Sequence, residues 1–520
     1  MTKYKTILRL ALIITTALIL RLYHIGSMGY RFADEGYHLL HPIILTENPD
    51  YPSLYFKHGL MWWIYLGLHL FGFTVNGSLY FSIFCGTISV VLFYLICSRL
   101  MRGNYPLYGA ALFAFSYYIF YYQRSNMSDG YALMFFCLTG YLFITAVQKL
   151  GIMPVFSKGK RSPFAFIVLV ASGLLLGFTF TVRIQTCLTL IGAGGAFAVV
   201  LLIKVFLKKK KPEIFFKYSG TVLLWCLTAV IGYSVFMLLI RHHIKWDDTL
   251  KWYGKNATIT AIPPEGWHLF ICRNLWHLCG LPFLVISAIG IVRDIYCFKK
   301  LNSFRLWLLI CFAGLTAGYV KAAMPWPRAY LYLIVFMIFY WLVGADCIAG
   351  IFKKMRKDYV VTSILFITIV FELMLIIPFI NKRSGYNDAT AFINQNEHGA
   401  LIATHSWPIF EALPYRHDNF LINKECRNLS TTGQFMNHLR YMFVKRRARY
   451  MILDNNIYFF PPPNPDMLKY FCRKNRPTAV YKNDFGEDYH TCMDAFGRAP
   501  VHEFCTDRIM IYRFRKPEKR

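Results

Sequence analysis

Acidic residues are scarce in this chain: 27 Asp and Glu face 57 Lys and Arg across 520 residues, and charged residues of both signs total only 16%. A soluble exterior normally carries a larger charged share than that. Three further absences narrow the function classes. There is no Gly-rich phosphate loop, which argues against an ATP-driven transporter. There is no repeat of domain-building length, which excludes a solenoid or propeller. The cysteine-bearing tail has no CxxC or HxxxH spacing, so a zinc site there has no support.

What is present is apolar surface. Hydrophobic residues make up 56% of the chain, and the mean hydropathy is +0.39. Runs of about 18 or more apolar residues, enough to span some 30 Å of hydrocarbon, recur along it. The chain therefore reads as a polytopic membrane protein. The net charge of +30 would suggest nucleic acid in a soluble protein. Here the clusters KGKR (158–161), KKKK (208–211), KK (299–300) and KKMRK (353–357) all fall between apolar runs. That is the pattern of short cytoplasmic loops, and nucleic acid is not expected as a partner.

Placing those loops on one side gives about eleven spans. They are expected near 7–23, 78–98, 105–122, 130–148, 163–181, 185–206, 218–240, 279–297, 303–320, 329–351 and 359–379. The first lacks a cleavage site and reads as a retained helix with its N-terminus in the cytoplasm. The expected architecture is an α-helical membrane domain, 1–380, with a long first outer loop at 24–76, followed by an extracytoplasmic α/β domain at 381–520. Within the loop, GLMWWIYLGLHLFG (59–72) is apolar but short and suits a helix lying in the interface. In the tail, GALIAT, RYMILD and IMIYRF read as strands between helical stretches. Cys426, Cys472, Cys492 and Cys505 lie there, as two disulfides in one of three pairings or as free thiols.

The candidate chemistry lies in the outer segments. RFADEGYH sets Asp34 and Glu35 side by side among aromatic and apolar neighbours. Adjacent acids usually lie in solvated loops, but desolvation against a membrane surface makes a carboxylate a stronger base. Lys57 and His58 follow, a cation beside a proton carrier. YYQRSNMSDGYALMFF brings Arg124 and Asp129 to a membrane boundary, where a helix cap at Ser128 or Asp129 would explain the acid about as well as function does. Arg183 sits between two apolar runs, where charge is costly and usually faces a cavity. Arg328 opens a late span and could equally snorkel to lipid phosphates. Asp247 and Asp248 in WDDT are weak candidates for a divalent ion; a solvated loop explains them as well. Cations suit a lipid phosphate, which makes Lys57, His58, Arg124, Arg183 and Arg328 the candidate phosphate contacts, and a carboxylate suits deprotonation of an acceptor.

In order and sidedness, ADEGYH, FKHGLMWWIYLGLHLFG and QRSNMSDGYALMFF resemble the GT-C glycosyltransferases. They are similar to the bacterial lipid A 4-amino-4-deoxy-L-arabinose transferases and the wider protein O-mannosyltransferase superfamily. The resemblance implies an inverting transfer of a sugar from a polyprenyl-phosphate donor to a lipid, glycan or protein acceptor. It implies Asp34 as catalytic carboxylate, Glu35 as its neighbour orienting the acceptor, and Lys57 as phosphate contact. It further implies Asp129 shaping the pocket with Arg124 as partner, and Arg328 as a second phosphate contact. The chain departs from the family in having His58-Gly59 where Pro-Pro is usual, Ala329 inside the Arg-Tyr pair, and Arg183 where many relatives have Lys. No cofactor is required by this chemistry, although a divalent metal is compatible with it. The short loops, with no room for a β-trefoil insertion, favour a bacterial inner-membrane enzyme over a eukaryotic-type mannosyltransferase. A secondary transporter or flippase is the rival, resting mainly on Glu372 and Asp346 within apolar runs.

Overall fold

The structure is a computed structural model. It describes residues 3–31, 33–47, 57–151, 164–208, 212–247, 249, 279–321, 330–352, 355–396, 402–404, 419–420, 434, 437, 441, 448–454, 465–485 and 508–514, with only the backbone given at 3, 33–34, 207–208, 299, 319–321, 402–404, 419–420 and 465–469. The membrane domain is helical, as expected. In chain order its helices are α1 (Lys3–Leu22), α2 (Ile25–Met28), α3 (Ala33–Glu47), α4 (His58–Phe71) and α5 (Val75–Leu100). Then come α6 (Tyr105–Phe115), α7 (Tyr117–Gln123), α8 (Ser128–Lys149), α9 (Phe164–Val182), α10 (Ile184–Lys208) and α11 (Glu213–Leu239). After a segment outside the described residues follow α12 (Leu281–Tyr296), α13 (Ser303–Lys321), α14 (Leu331–Ile351) and α15 (Lys357–Ile380).

Eight helical segments among the described residues are long and apolar enough to cross a membrane. The other three expected spans are helical but shorter or interrupted. The run at 105–122 breaks at Ser116, whose backbone is extended (φ −60, ψ 121). Glu372 of α15 meets that break, accepting from Tyr117 N at 2.6 Å and from Gly280 N, at the start of α12, at 2.8 Å. A carboxylate there satisfies backbone donors that two helix N-termini leave open. Its position is that of a structural tie, which removes the main support for a transporter. Asp346 is likewise engaged, with Lys357 at 2.5 Å, Arg293 at 3.7 Å and the Tyr105 hydroxyl.

Helices α9 and α11 cross closely where Gly173 and Gly177 meet Thr228 and Ala229; a methyl at either glycine would strike them. Gly290 of α12 and Gly344 of α14 permit a second such approach. Small residues at crossings are how apolar helices associate where water offers no driving force.

The tail forms a small α/β unit, with helices α16 (Tyr386–Asn396) and α17 (Pro465–Lys474). Its strands are β1 (Ile402–Thr404), β2 (Asn419–Phe420), β3 (Tyr450–Leu453), β4 (Ala479–Lys482) and β5 (Arg508–Arg513), in sheet order β2-β1-β3-β5-β4. β1 pairs parallel with β2 and β3, and β5 pairs antiparallel with β3 and β4. All three strands expected in the tail are present. The unit is moored to the helices where Ser384 N donates to Met28 O (3.0 Å) and Phe485 packs near Phe379. Cys472 is a free thiol, accepting from the Tyr512 hydroxyl at 3.4 Å. A disulfide through Cys472 is therefore corrected; Cys426, Cys492 and Cys505 lie outside the described residues.

Candidate active site

Four parts of the chain meet at one end of the bundle: α3, the start of α4, the loop from α7 into α8, and the junction of α9 with α10. That loop is QRSNMS, residues 123–128, and it is fully buried. Its hub is Asn126. The backbone N of Asn126 donates to Glu35 Oε1 at 2.9 Å, and its side-chain amide donates to the Glu35 carbonyl at 2.9 Å. The Tyr131 hydroxyl donates to Asn126 Oδ1 at 2.9 Å, and the Tyr30 hydroxyl lies 2.8 Å from that of Ser78. Glu35 Oε2 also accepts from Arg31 N at 2.5 Å, and the Arg31 guanidinium lies 4.0 Å from Oε1. Glu35 is thus fully buried and caps the turn that opens α3. Asp34 lies in the first turn of the same helix; its side chain falls outside the described residues.

His38, one turn further along α3, is fully buried. Its Nδ1 is 2.6 Å from the Asn126 carbonyl, and its Nε2 is 3.3 Å from Lys57 Nζ. Lys57 is the N-cap of α4 and has a left-handed backbone (φ 48, ψ 44). For a residue with a Cβ that conformation costs roughly 1–2 kcal/mol, so surrounding contacts must hold it. His58 follows, buried; desolvation pushes its imidazole down to about 4. Gly59 comes next, and a methyl there would collide with Thr181 of α9. A glycine is thus what lets α4 begin directly against the end of α9, two residues before Arg183.

Arg183 joins α9 to α10. It forms an ion pair with Asp129 Oδ1 at 2.8 Å, donates to Ser128 Oγ at 2.8 Å, and donates to Gln185 Oε1 at 2.8 and 3.1 Å. The expected partnership of Asp129 with Arg124 is corrected: Asp129 pairs with Arg183. Arg124 turns the other way, donating to the Tyr23 carbonyl at 2.7 Å and lying over the rings of Phe120 and Phe379. Burial, with nearby Arg31 second, pulls its guanidinium below its ordinary value. The reason is spacing: Asp129 sits on the first turn of α8, while Arg124 ends α7 on the side of α1.

Beside this ion pair, Thr186 and Tyr332 share a hydrogen bond. Below it lies an apolar cavity of about 90 Å³, lined by residues that include Phe136, Phe143, Leu190, Phe197, Trp225 and Phe336. Phe136 follows Asp129 by two helical turns, and Leu190 follows Arg183 by the same interval, roughly 10 Å along the axis. Arg328 and Asp248 lie outside the described residues, and Asp247 is exposed. Among the described residues, no group of three or more His, Cys, Asp or Glu is placed to hold a metal ion.

Residues 58–233 match the family model of the dolichyl-phosphate-mannose-protein mannosyltransferases. Comparison with curated protein sequences gives no match. Among solved structures, the oligosaccharyltransferase of Archaeoglobus fulgidus in its apo form is similar, with a TM-score of 0.61 and 12% identity over 88% of this chain and 70% of that one. ArnT from Cupriavidus metallidurans, also apo, gives a TM-score of 0.57 and 11% identity over 96% of this chain and 97% of that one. The same ArnT bound to undecaprenyl phosphate gives 0.54 and 10%, with the same coverage. The chain has the GT-C fold.

The part of the GT-C chain that matches the family model opens at His58, one residue after Lys57, and takes in Asp129 and Arg183. Asp34 and Glu35 precede it, so their place at the site rests on geometry. His38 and Asn126 were not singled out from the sequence. Both lie inside strings that were, ADEGYH and QRSNMSDG, but a histidine and an asparagine carry no period or spacing that marks them.

Proposed function

We propose that this protein is an inverting glycosyltransferase that moves a sugar from a polyprenyl-phosphate donor to an acceptor at the extracytoplasmic face of a bacterial inner membrane. One observation carries the reading: α3, with its acidic pair, is tied through Asn126 and His38 to Lys57, at the end of a GT-C bundle where Asp129 and Arg183 also meet. The apolar cavity beneath has room for only a short part of a prenyl chain, and the ArnT structure with undecaprenyl phosphate supports that donor class by its fold.

In this reading the acceptor oxygen or nitrogen attacks the anomeric carbon as the carbon–oxygen bond to phosphate breaks. Asp34 takes the acceptor's proton, and the polyprenyl phosphate leaves with the bonding pair. Glu35 acts through the backbone, fixing the turn that carries Asp34. Lys57 meets the charge developing on the departing phosphate, with Arg328 as a further contact. His58, neutral at physiological pH, lines the approach. The Asp129–Arg183 pair shapes the pocket wall, and Arg124 braces the loop from α7 to α8. Cationic side chains carry out the neutralisation that a metal would otherwise supply, so no resident metal enters the scheme. The basic turns at the opposite end of the bundle support a cytoplasmic placing of that end, which leaves the site and the tail outside.

The test is mass spectrometry of envelope lipids, glycans and glycoproteins from cells with and without this protein. A sugar lost from one class names both donor and acceptor. Identical profiles, with the protein expressed in the control, would count against the reading.

A further inference from the structure

We infer that His38 is a positioning residue that holds the Lys57 ammonium toward the donor phosphate, with the Asn126 carbonyl as its anchor. The inference rests on the donor class proposed above and adds a residue to that site.

The argument begins with the two ring contacts. A carbonyl oxygen only accepts, so Nδ1 of His38, 2.6 Å from Asn126 O, must carry the proton. An ammonium only donates, so Nε2, 3.3 Å from Lys57 Nζ, must be the acceptor. Both contacts are met by one species, the neutral Nδ1–H tautomer, which the buried carbonyl selects. A carboxylate in the same place would hold Lys57 and cancel its charge. The neutral imidazole holds it and contributes no counter-charge.

The anchor has a second attachment. Asn126 also bonds Glu35, through its backbone N and its side-chain amide. The position of Lys57 is therefore set from the same residue as the turn bearing Asp34. The left-handed backbone at Lys57 agrees with a side chain whose direction is imposed by its contacts.

The test uses the full chain in detergent and measures binding of undecaprenyl phosphate, by tryptophan fluorescence, to four forms: unaltered, His38→Phe, Lys57→Met and the double variant. His38→Phe keeps a ring but removes both hydrogen bonds, and is expected to weaken binding about tenfold, comparable with a lost charge-assisted hydrogen bond. In the Lys57→Met background the same change is expected to alter binding less than about twofold, because the lysine it acts through is gone. His38→Gln, which can donate to the carbonyl and accept from the ammonium, is expected to restore binding to within about threefold of the unaltered protein. Equal losses in both backgrounds, or a Gln variant as weak as the Phe variant, would overturn the inference and leave the donor class standing. Should His38→Phe fail to fold, His38→Met, which also removes both hydrogen bonds, takes its place in both backgrounds with the same expected losses. No binding by the unaltered protein would overturn the donor class and the inference with it.

Discussion

At the scale of single residues, the ion pair between Asp129 and Arg183 makes a sharp thermodynamic statement. Their side chains are 1% and 10% exposed, so removing one partner strands a charge in a dry setting. Asp129→Ala is expected to cost about 3 kcal/mol of stability, read as a lowered melting temperature in detergent. The double variant Asp129→Ala with Arg183→Met should recover much of that loss, since no charge is left unpaired. A second expectation concerns pH. Desolvation lowers His58 to about 4 and His41 to about 3, whereas both titrate near 6.5 in the unfolded chain. Between those values the unfolded chain binds more protons than the folded one, so stability falls as pH drops below about 6.5. It is whole above that value. His58→Gln should make the decline in melting temperature from pH 7 to pH 5 shallower; an unchanged slope would contradict burial of a neutral imidazole.

At the scale of elements, the break between α6 and α7 orients the site loop. The chain re-enters a helix at Tyr117, whose N–H donates to Glu372, and α7 delivers Gln123 and Arg124. Arg21 of α1 then holds Gln123, donating to its Oε1 at 2.6 and 3.0 Å. Glu372→Ala would leave two buried N–H groups without an acceptor, at a cost of about 1–3 kcal/mol each; thermal melting should show the loss. The same elements show what the sequence could and could not disclose. Apolar runs located the helices because a bilayer demands length and hydrophobicity over each span. The interruption at Ser116 was hidden, since an apolar run reads alike whether or not one peptide unit turns outward. The tail strands were legible from β-branched and aromatic runs bounded by polar residues. The acids and cations of the site were legible as types, because charge at an apolar boundary is costly and therefore informative. Their partnerships were not: Asp129 chose Arg183 over the nearer Arg124 in sequence because helix phase, which a string of letters does not carry, decides who meets whom.

At the scale of the whole molecule, a GT-C membrane domain carries a small α/β unit moored to the end where α3, α4, α8 and α9 form the proposed donor site. The mooring through Ser384 and Met28 places the tail beside the helix pair that precedes α3. The claim on which the rest depends is that Asp34 is the base of a sugar transfer from a prenyl phosphate. It is tested most directly by incubating purified protein with membrane extracts containing polyprenyl-phosphate sugars and measuring free polyprenyl phosphate by mass spectrometry. The unaltered protein should release it with or without a chelator. Asp34→Asn should bind the lipid equally well yet release it at least about a hundredfold more slowly, the usual scale for loss of a general base. Release by Asp34→Asn at the unaltered rate, from protein that still binds the lipid, would contradict the account.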